Sequence, residues 1–151
     1  MKVLLDSSTL IAAMLPDHVH HTACHAWLSH AKSGAVEFVV AGHSLAEVYS
    51  VLTRLPARPA SAPVKCGGWC KRTSWRGAQI VALTGKDYVA LVDELSRRSV
   101  GGGLVYDAII ARTAALAQVD RLVTLNTDHF LHVWPDRSNQ ITSPLQVTPP
   151  N

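Results

Sequence analysis

Four short apolar runs, the first three each feeding a stretch with helical spacing, constrain the fold of this chain more than any other feature. Residues 2–5, 36–41, 78–83 and 122–125 have strand length, and their near-continuous hydrophobicity suits strands covered on both faces. Helical spacing follows the first three runs. Residues 10–15 form a short helix stopped by Pro16, and 17–30 form a second with Ala23, Ala26 and Trp27 turned inward. A helix over 45–54 carries the stripe Leu45, Val48, Tyr49 and Leu52, and one over 86–98 carries Tyr88, Leu91, Val92 and Leu95. An Ala- and Ile-rich helix around Asp107 runs to about Val119. Strands alternating with helices predict an α/β fold: a mostly parallel central sheet with helices on both faces. The tail, with Trp134, Ile141 and Leu145, adds an edge strand before Pro149.

At 151 residues, with 48% hydrophobic and 17% charged residues, the chain is read as a single globular domain over 1–151. No apolar run reaches the roughly 20 residues that a membrane helix needs. Asp6 interrupts the apolar start Met-Lys-Val-Leu-Leu, so no signal core is present and a cytoplasmic location is expected. The net charge of +3 is unevenly placed. No acid lies between Glu47 and Asp87, whereas Arg54, Arg58, Lys65, Lys71, Arg72, Arg76 and Lys86 do, half of the 14 basic residues. Trp69 and Trp75 are interleaved with them, a combination suited to phosphate contact and base stacking, or equally to a solvated cationic loop. From Leu55 the pattern breaks into loop, with Pro56, Pro59, Pro63, Gly67 and Gly68. Cys24, Cys66 and Cys70 form no secreted disulfide framework and no complete zinc site, so reduced thiols are expected. His21 and His25 stand one helical turn apart, but no Glu follows His21 to complete a metalloprotease pattern.

Chemistry concentrates in four acids. Asp6 ends the first strand, Glu47 lies in the first turn of its helix, Asp107 follows the triple glycine 101–103, and Asp128 follows the last strand. Each has a local explanation: Asp6 as a helix cap, for example, and Glu47 as the partner of Ser44 in an S-x-x-E capping box. Together they gather at one edge of a doubly wound sheet, where unpaired carboxylates repel and raise one another's pKa. A hard divalent cation, Mg²⁺ or Mn²⁺, resolves that repulsion. Asn126, Thr124 and Ser7 supply supporting oxygens. Beside a basic, Trp-containing segment, such a site suits phosphodiester hydrolysis by an activated water.

The opening LLDSSTLIA with Asp6, HSLAEVYSVLTR with Glu47, GGGLVYDAIIARTA with Asp107, and LVTLNTDHF with Asn126 and Asp128 stand in family order. On these motifs the chain resembles the PIN-domain ribonucleases, and more narrowly the VapC toxins of bacterial VapBC pairs. His129 stands where family members often carry an acid. The resemblance implies a three-layer α/β/α fold and an Mg²⁺- or Mn²⁺-dependent endoribonuclease acting on structured RNA of the transfer or ribosomal class. It implies Asp6, Glu47, Asp107 and Asp128 as metal-binding catalytic acids. It also implies a homodimer held inactive by a cognate VapB antitoxin.

Two other phosphate chemistries fit poorly. A haloacid-dehalogenase phosphatase wants D-x-D-x-T, but Ser8 occupies the second acid's place, and a receiver domain wants an acid where Thr84-Gly85 stands. A non-catalytic RNA- or protein-binding domain with a weakened pocket is the alternative of a different class, motivated by the unusual Pro-, Gly- and Trp-rich segment.

Overall fold

The computed structural model describes residues 1–55 and 75–150. Strand β1 (Lys2–Leu5) feeds α1 (Ser7–Met14) and α2 (His21–Lys32), and β2 (Glu37–Ala41) feeds α3 (Gly42–Arg54). Strand β3 (Gln79–Val81) feeds α4 (Gly85–Arg97) and α5 (Leu104–Leu116). Strand β4 (Arg121–Val123) feeds α6 (Thr127–Val133), a 3₁₀ turn at Pro135–Gln140 and β5 (Ile141–Thr142).

Among the described residues the strands form one sheet in the order β3-β2-β1-β4-β5, with every pair parallel. The expected α/β architecture is therefore present, and the tail does supply the edge strand β5. The chain moves outward from β1 through β2 to β3, then crosses back to lay β4 on the other side of β1. Connections leaving β1 and β4 diverge there, opening the crevice in which parallel α/β sheets bind ligands.

Side-chain alternation along the strands divides the core into two layers. Val3, Leu5, Phe38, Val40 and Val123 pack with α1, α2 and α3, around the buried Trp27. Leu4, Val39, Ala41 and Leu122 pack with α4, α5 and α6, around Phe130. The α5 sequence Ala-Ile-Ile-Ala is buried along its length, as a helix pressed against a sheet requires.

Several boundaries differ from expectation for local reasons. Helix α2 begins at His21 rather than at residue 17, because the His18 ring takes the His20 amide and turns precede the helix. Its inner face is Cys24, Trp27, Leu28 and Ala31, with Ala26 exposed. Helix α3 begins at Gly42, three residues before the expected start, because β2 passes into it without a loop and Ala41 serves as its N-cap. Helix α5 stops at Leu116, where Gln118 takes a left-handed conformation and Val119 bonds back to the Ala114 carbonyl. Strand β3 is shorter than expected and largely exposed, since it is an edge strand. On α4 the inner face narrows to Leu91 and Leu95, leaving Tyr88, Val89 and Val92 in solvent.

Trp75 packs against the first core layer, so it is a structural aromatic rather than a free stacking surface. Cys24 is an unpaired buried thiol whose pKa desolvation pushes up to about 11, which leaves it unreactive. Trp69, Cys66, Cys70 and the expected 56–74 loop lie outside the described residues. Among the described residues no helix is long and apolar enough to cross a membrane.

Candidate active site

Asp6 sits where β1 ends, 2% exposed, and is the N-cap of α1. Its Oδ1 accepts the Ser7 amide at 2.6 Å. Its Oδ2 accepts the Ser8 hydroxyl at 2.7 Å, the Thr124 hydroxyl at 2.9 Å and, more weakly, the Ser8 amide at 3.3 Å. Capping thus describes Asp6 correctly without exhausting it. Thr124 reaches across from the strand on the opposite side of the crevice, and its Oγ1 also accepts the Asn126 amide at 2.9 Å. Ser8 is the second anchor: its Oγ accepts the Leu125 amide at 3.1 Å.

Burial raises the Asp6 pKa from 3.8 to about 6. Hydrogen bonds from Ser8, Thr124 and Ser7 pull it down, and the Asp107 charge pushes it up further. Desolvation wins even over that donor set, so a neutral acid is favoured at mildly acidic pH unless positive charge arrives. Asp107, in the first turn of α5, has a side chain 15% exposed. Its pKa is also raised: burial dominates, the His129 ring opposes it, and Glu47 adds to it. His129 Nδ1 lies 3.2 Å from Asp107 Oδ2, an ion pair only when the imidazole, 57% exposed, carries its proton.

Glu47 falls in the second turn of α3 rather than the first, because the helix starts early. For the same reason the expected capping box is absent: Ser44 is buried inside the helix with an unpartnered hydroxyl. Glu47 Oε2 is likewise buried with no hydrogen-bond partner. A capping box of this kind forms instead at Thr84 and Asp87, opening α4, where the Thr84 hydroxyl and amide hold the Asp87 carboxyl below its usual range.

Asp6 therefore feels the charge of Asp107, and Asp107 feels that of Glu47. Asp128 stands apart: it is exposed on the first turn of α6, and neither Asp6 nor Asp107 takes its perturbation from it. Asn126 occupies the N-cap position of α6, with an exposed side chain that makes no capping bond. Ser7 contributes its amide to Asp6, while its hydroxyl is buried and unpartnered. Sequence reasoning missed Ser8 as an anchor; its place two residues after an aspartate cap is the signal, since hydroxyls there commonly bond back.

Among the described residues no three His, Cys, Asp or Glu side chains are arranged to enclose a metal ion. The donors nevertheless suit a hard cation: buried carboxylates that repel each other and one orphaned carboxylate oxygen. The glycines of 101–103 do not bring the backbone close to this rim, since a β-carbon at any of them would meet nothing. Gly102 alone needs glycine, for its φ of 63°. A cavity of about 250 Å³ between α4 and α5 is lined by Leu91, Glu94, Arg112 and Trp134 and by none of the four acids.

Known proteins share this fold and sequence pattern. The PIN domain family model matches residues 3–133. Ribonuclease VapC27 of Mycobacterium tuberculosis is 35% identical over 111 residues, which cover 74% of this chain and 75% of that protein. Ribonuclease VapC40 of the same organism is 33% identical over 112 residues, covering 74% and 78%. Among solved structures, FitAcB from Neisseria gonorrhoeae superposes with a TM-score of 0.67 at 14% identity, covering 96% of this chain and 99% of that one. VapBC2 from Rickettsia felis, solved on a DNA fragment from its promoter, superposes at 0.63 with 18% identity, covering 95% and 98%. The chain belongs to the PIN-domain family and, within it, to the VapC proteins.

Proposed function

We propose that this chain is the toxin of a type II toxin–antitoxin pair, an endoribonuclease that hydrolyses RNA phosphodiester bonds with the help of Mg²⁺ or Mn²⁺. The observation that carries this reading is the charge coupling of Asp6 and Asp107, with Glu47 behind them, at the carboxyl edge of the sheet. Mg²⁺ is commonly bound through one or two carboxylates with water completing its shell, so Asp6 and Asp107 suffice as direct ligands. Glu47 offers its orphaned oxygen to a coordinated water or to the ion itself. When bound, the cation supplies positive charge that activates a water nucleophile and offsets charge building on the phosphate.

The protein's own part is positioning. Ser8 and Thr124 fix the Asp6 carboxylate from two directions and keep it a good ligand despite its burial. His129 holds Asp107 against rotation and, when protonated, competes with the cation for its charge. Asp128 and Asn126, further out, fit a role in orienting water or substrate. A single PIN domain over 1–151, a cytoplasmic setting, RNA of the transfer or ribosomal class and a cognate VapB-type antitoxin complete the proposal. For a homodimer, the exposed Tyr88, Val89 and Val92 of α4 offer an apolar face.

Cleavage of RNA by the purified protein in Mn²⁺ or Mg²⁺, and its loss in EDTA, is the test. Asp6→Asn and Asp107→Asn should each reduce cleavage by at least about a hundredfold, the scale expected when electrostatic stabilisation of a transition state is removed. Wild-type rates in either variant would refute the assignment. The open arrangement of the acids favours one second reading, a binding domain without catalysis. Titration calorimetry with Mn²⁺ separates the two: the catalytic reading expects heat that vanishes in Asp6→Asn, and the binding reading expects none.

A further inference from the structure

One pair of side chains on the rim of the acid cluster has no role in the fold or in the chemistry described above. His43, at the start of α3, stacks on Tyr106, at the start of α5, with ring centres 5.1 Å apart and planes within 7° of parallel. The two rings join the same two helices that carry Glu47 and Asp107. His43 precedes Glu47 by one helical turn, so both project from one face of α3. Tyr106 is the immediate neighbour of Asp107. The seam between α3 and α5 thus has two layers: coupled carboxylates inside and a parallel aromatic pair at the first helical turns.

A purely structural aromatic would be covered. Tyr106 is instead 53% exposed, although α5 buries Ala108, Ile109, Ile110 and Ala111 directly after it. The Tyr106 ring thus lies parallel to the His43 ring while about half of the residue's surface stays in solvent. Planar, preordered π-faces beside a phosphate-cleaving site are what an unpaired nucleobase stacks on, and stacking is tolerant of base identity. It also needs no basic residue, which matters because the seam's charged groups are acidic.

Resting on the ribonuclease reading, we propose that the His43–Tyr106 stack is a nucleobase-binding subsite. It receives one unpaired RNA base flanking the phosphate to be cut and extends the aromatic stack by one layer. Tyr106 makes the contact, and His43 is the positioning residue that keeps its ring flat. The substrate segment entering the site is therefore single-stranded at that nucleotide, even where the RNA as a whole is folded.

The test is binding of labelled homopolymeric oligoribonucleotides, measured by fluorescence anisotropy in EDTA so that no cleavage occurs, beside steady-state kinetics in Mn²⁺. Stacking on one ring is worth roughly 1–3 kcal/mol, so Tyr106→Ala should weaken binding by about 5- to 150-fold. Tyr106→Phe should bind as wild type does, and His43→Ala should weaken binding by less than Tyr106→Ala. Thermal midpoints of all three should stay close to wild type, because Tyr106 is half in solvent; a clamp between helices would move the midpoint instead. In the kinetics the loss should fall on KM, with kcat preserved. Oligonucleotides with an abasic site at each position in turn should include one that weakens wild type as Tyr106→Ala does and adds nothing further in that variant. Wild-type binding by Tyr106→Ala, or additive losses at every abasic position, overturns the proposal. Wild-type cleavage by Asp6→Asn overturns the ribonuclease reading separately, because the EDTA binding result stands without it.

Discussion

A carboxyl group that titrates near 6 because it is buried, as that of Asp6 does, makes stability depend on pH in an uncommon direction. Between about pH 4 and 6 the folded protein keeps a proton that the unfolded chain has already released. The folded state then binds more protons, so stability falls as pH rises through that window. A shift from 3.8 to about 6 corresponds to about 3 kcal/mol, present in full below pH 4 and gone above pH 6. Asp107 acts in the same direction. Urea unfolding at pH 4.5 and 7 in EDTA should show wild type losing more stability than Asp6→Asn between the two values; equal losses would contradict the burial argument. Saturating Mn²⁺ should restore stability at pH 7, since a ligand that binds only the folded state shifts the equilibrium by mass action. Thr124→Val removes one donor from Asp6, so the wild-type pH dependence should steepen and Mn²⁺ affinity should drop. Little of this could be read from the chain alone. That Asp6 ends a strand is plain in Leu-Leu-Asp-Ser, but whether its partners overcome its burial depends on Thr124, far away in sequence.

Helices and strands were legible where periodicity was strong and ambiguous where caps decided the matter. Residues 2–5 and 122–125 read as strands because apolar runs of that length have few alternatives; the first is observed with those bounds and the second as Arg121–Val123. The start of α3 was not legible: Ser44-Leu45-Ala46-Glu47 satisfies the capping pattern, yet β2 enters the helix directly and leaves Ser44 inside it. Thr84-Gly85-Lys86-Asp87, with a shorter acid in the fourth place, is the box that forms. Thr84→Ala should therefore lower stability by about 1 kcal/mol in urea unfolding, with Ser44→Ala costing less because its hydroxyl bonds to nothing. Glycine has a steric role at Gly42, where a β-carbon would come within 3.1 Å of Ala82 and press α3 against the segment leaving β3. At α2 the expected stripe keeps Trp27 but runs through Cys24 and Leu28 in place of Ala23 and Ala26, because Ala is compatible with either face.

At the scale of the molecule, the alternation of strands and helices conveyed the architecture, and the order of the strands came from their partners. The order β3-β2-β1-β4-β5 puts the first strand at the centre, which no local pattern announces. Convergence of acids was legible as a tendency of the topology; charge links join Asp107 to Asp6 and to Glu47, whereas Asp128 is exposed. The last residues are fastened too: the indole of buried Trp27 donates to the Val147 carbonyl at 2.9 Å, tying the tail to α2. Trp27→Ala should destabilise by about 3–5 kcal/mol, and Trp27→Phe by far less, as a thermal melt of each would show.

Thr124 and Asp6 are 118 positions apart, and the amide of Asp6 itself bonds to the Val123 carbonyl. β1 pairs with β2, which follows soon in sequence, but its other neighbour, β4, comes only after most of the chain. Until β4 slides in beside it, Asp6 lacks both Thr124 and the wall of the crevice. A chain of this design cannot assemble its acid cluster until its final third has emerged. The acid cluster is thus complete only once residues 118 positions apart have met on the folded sheet.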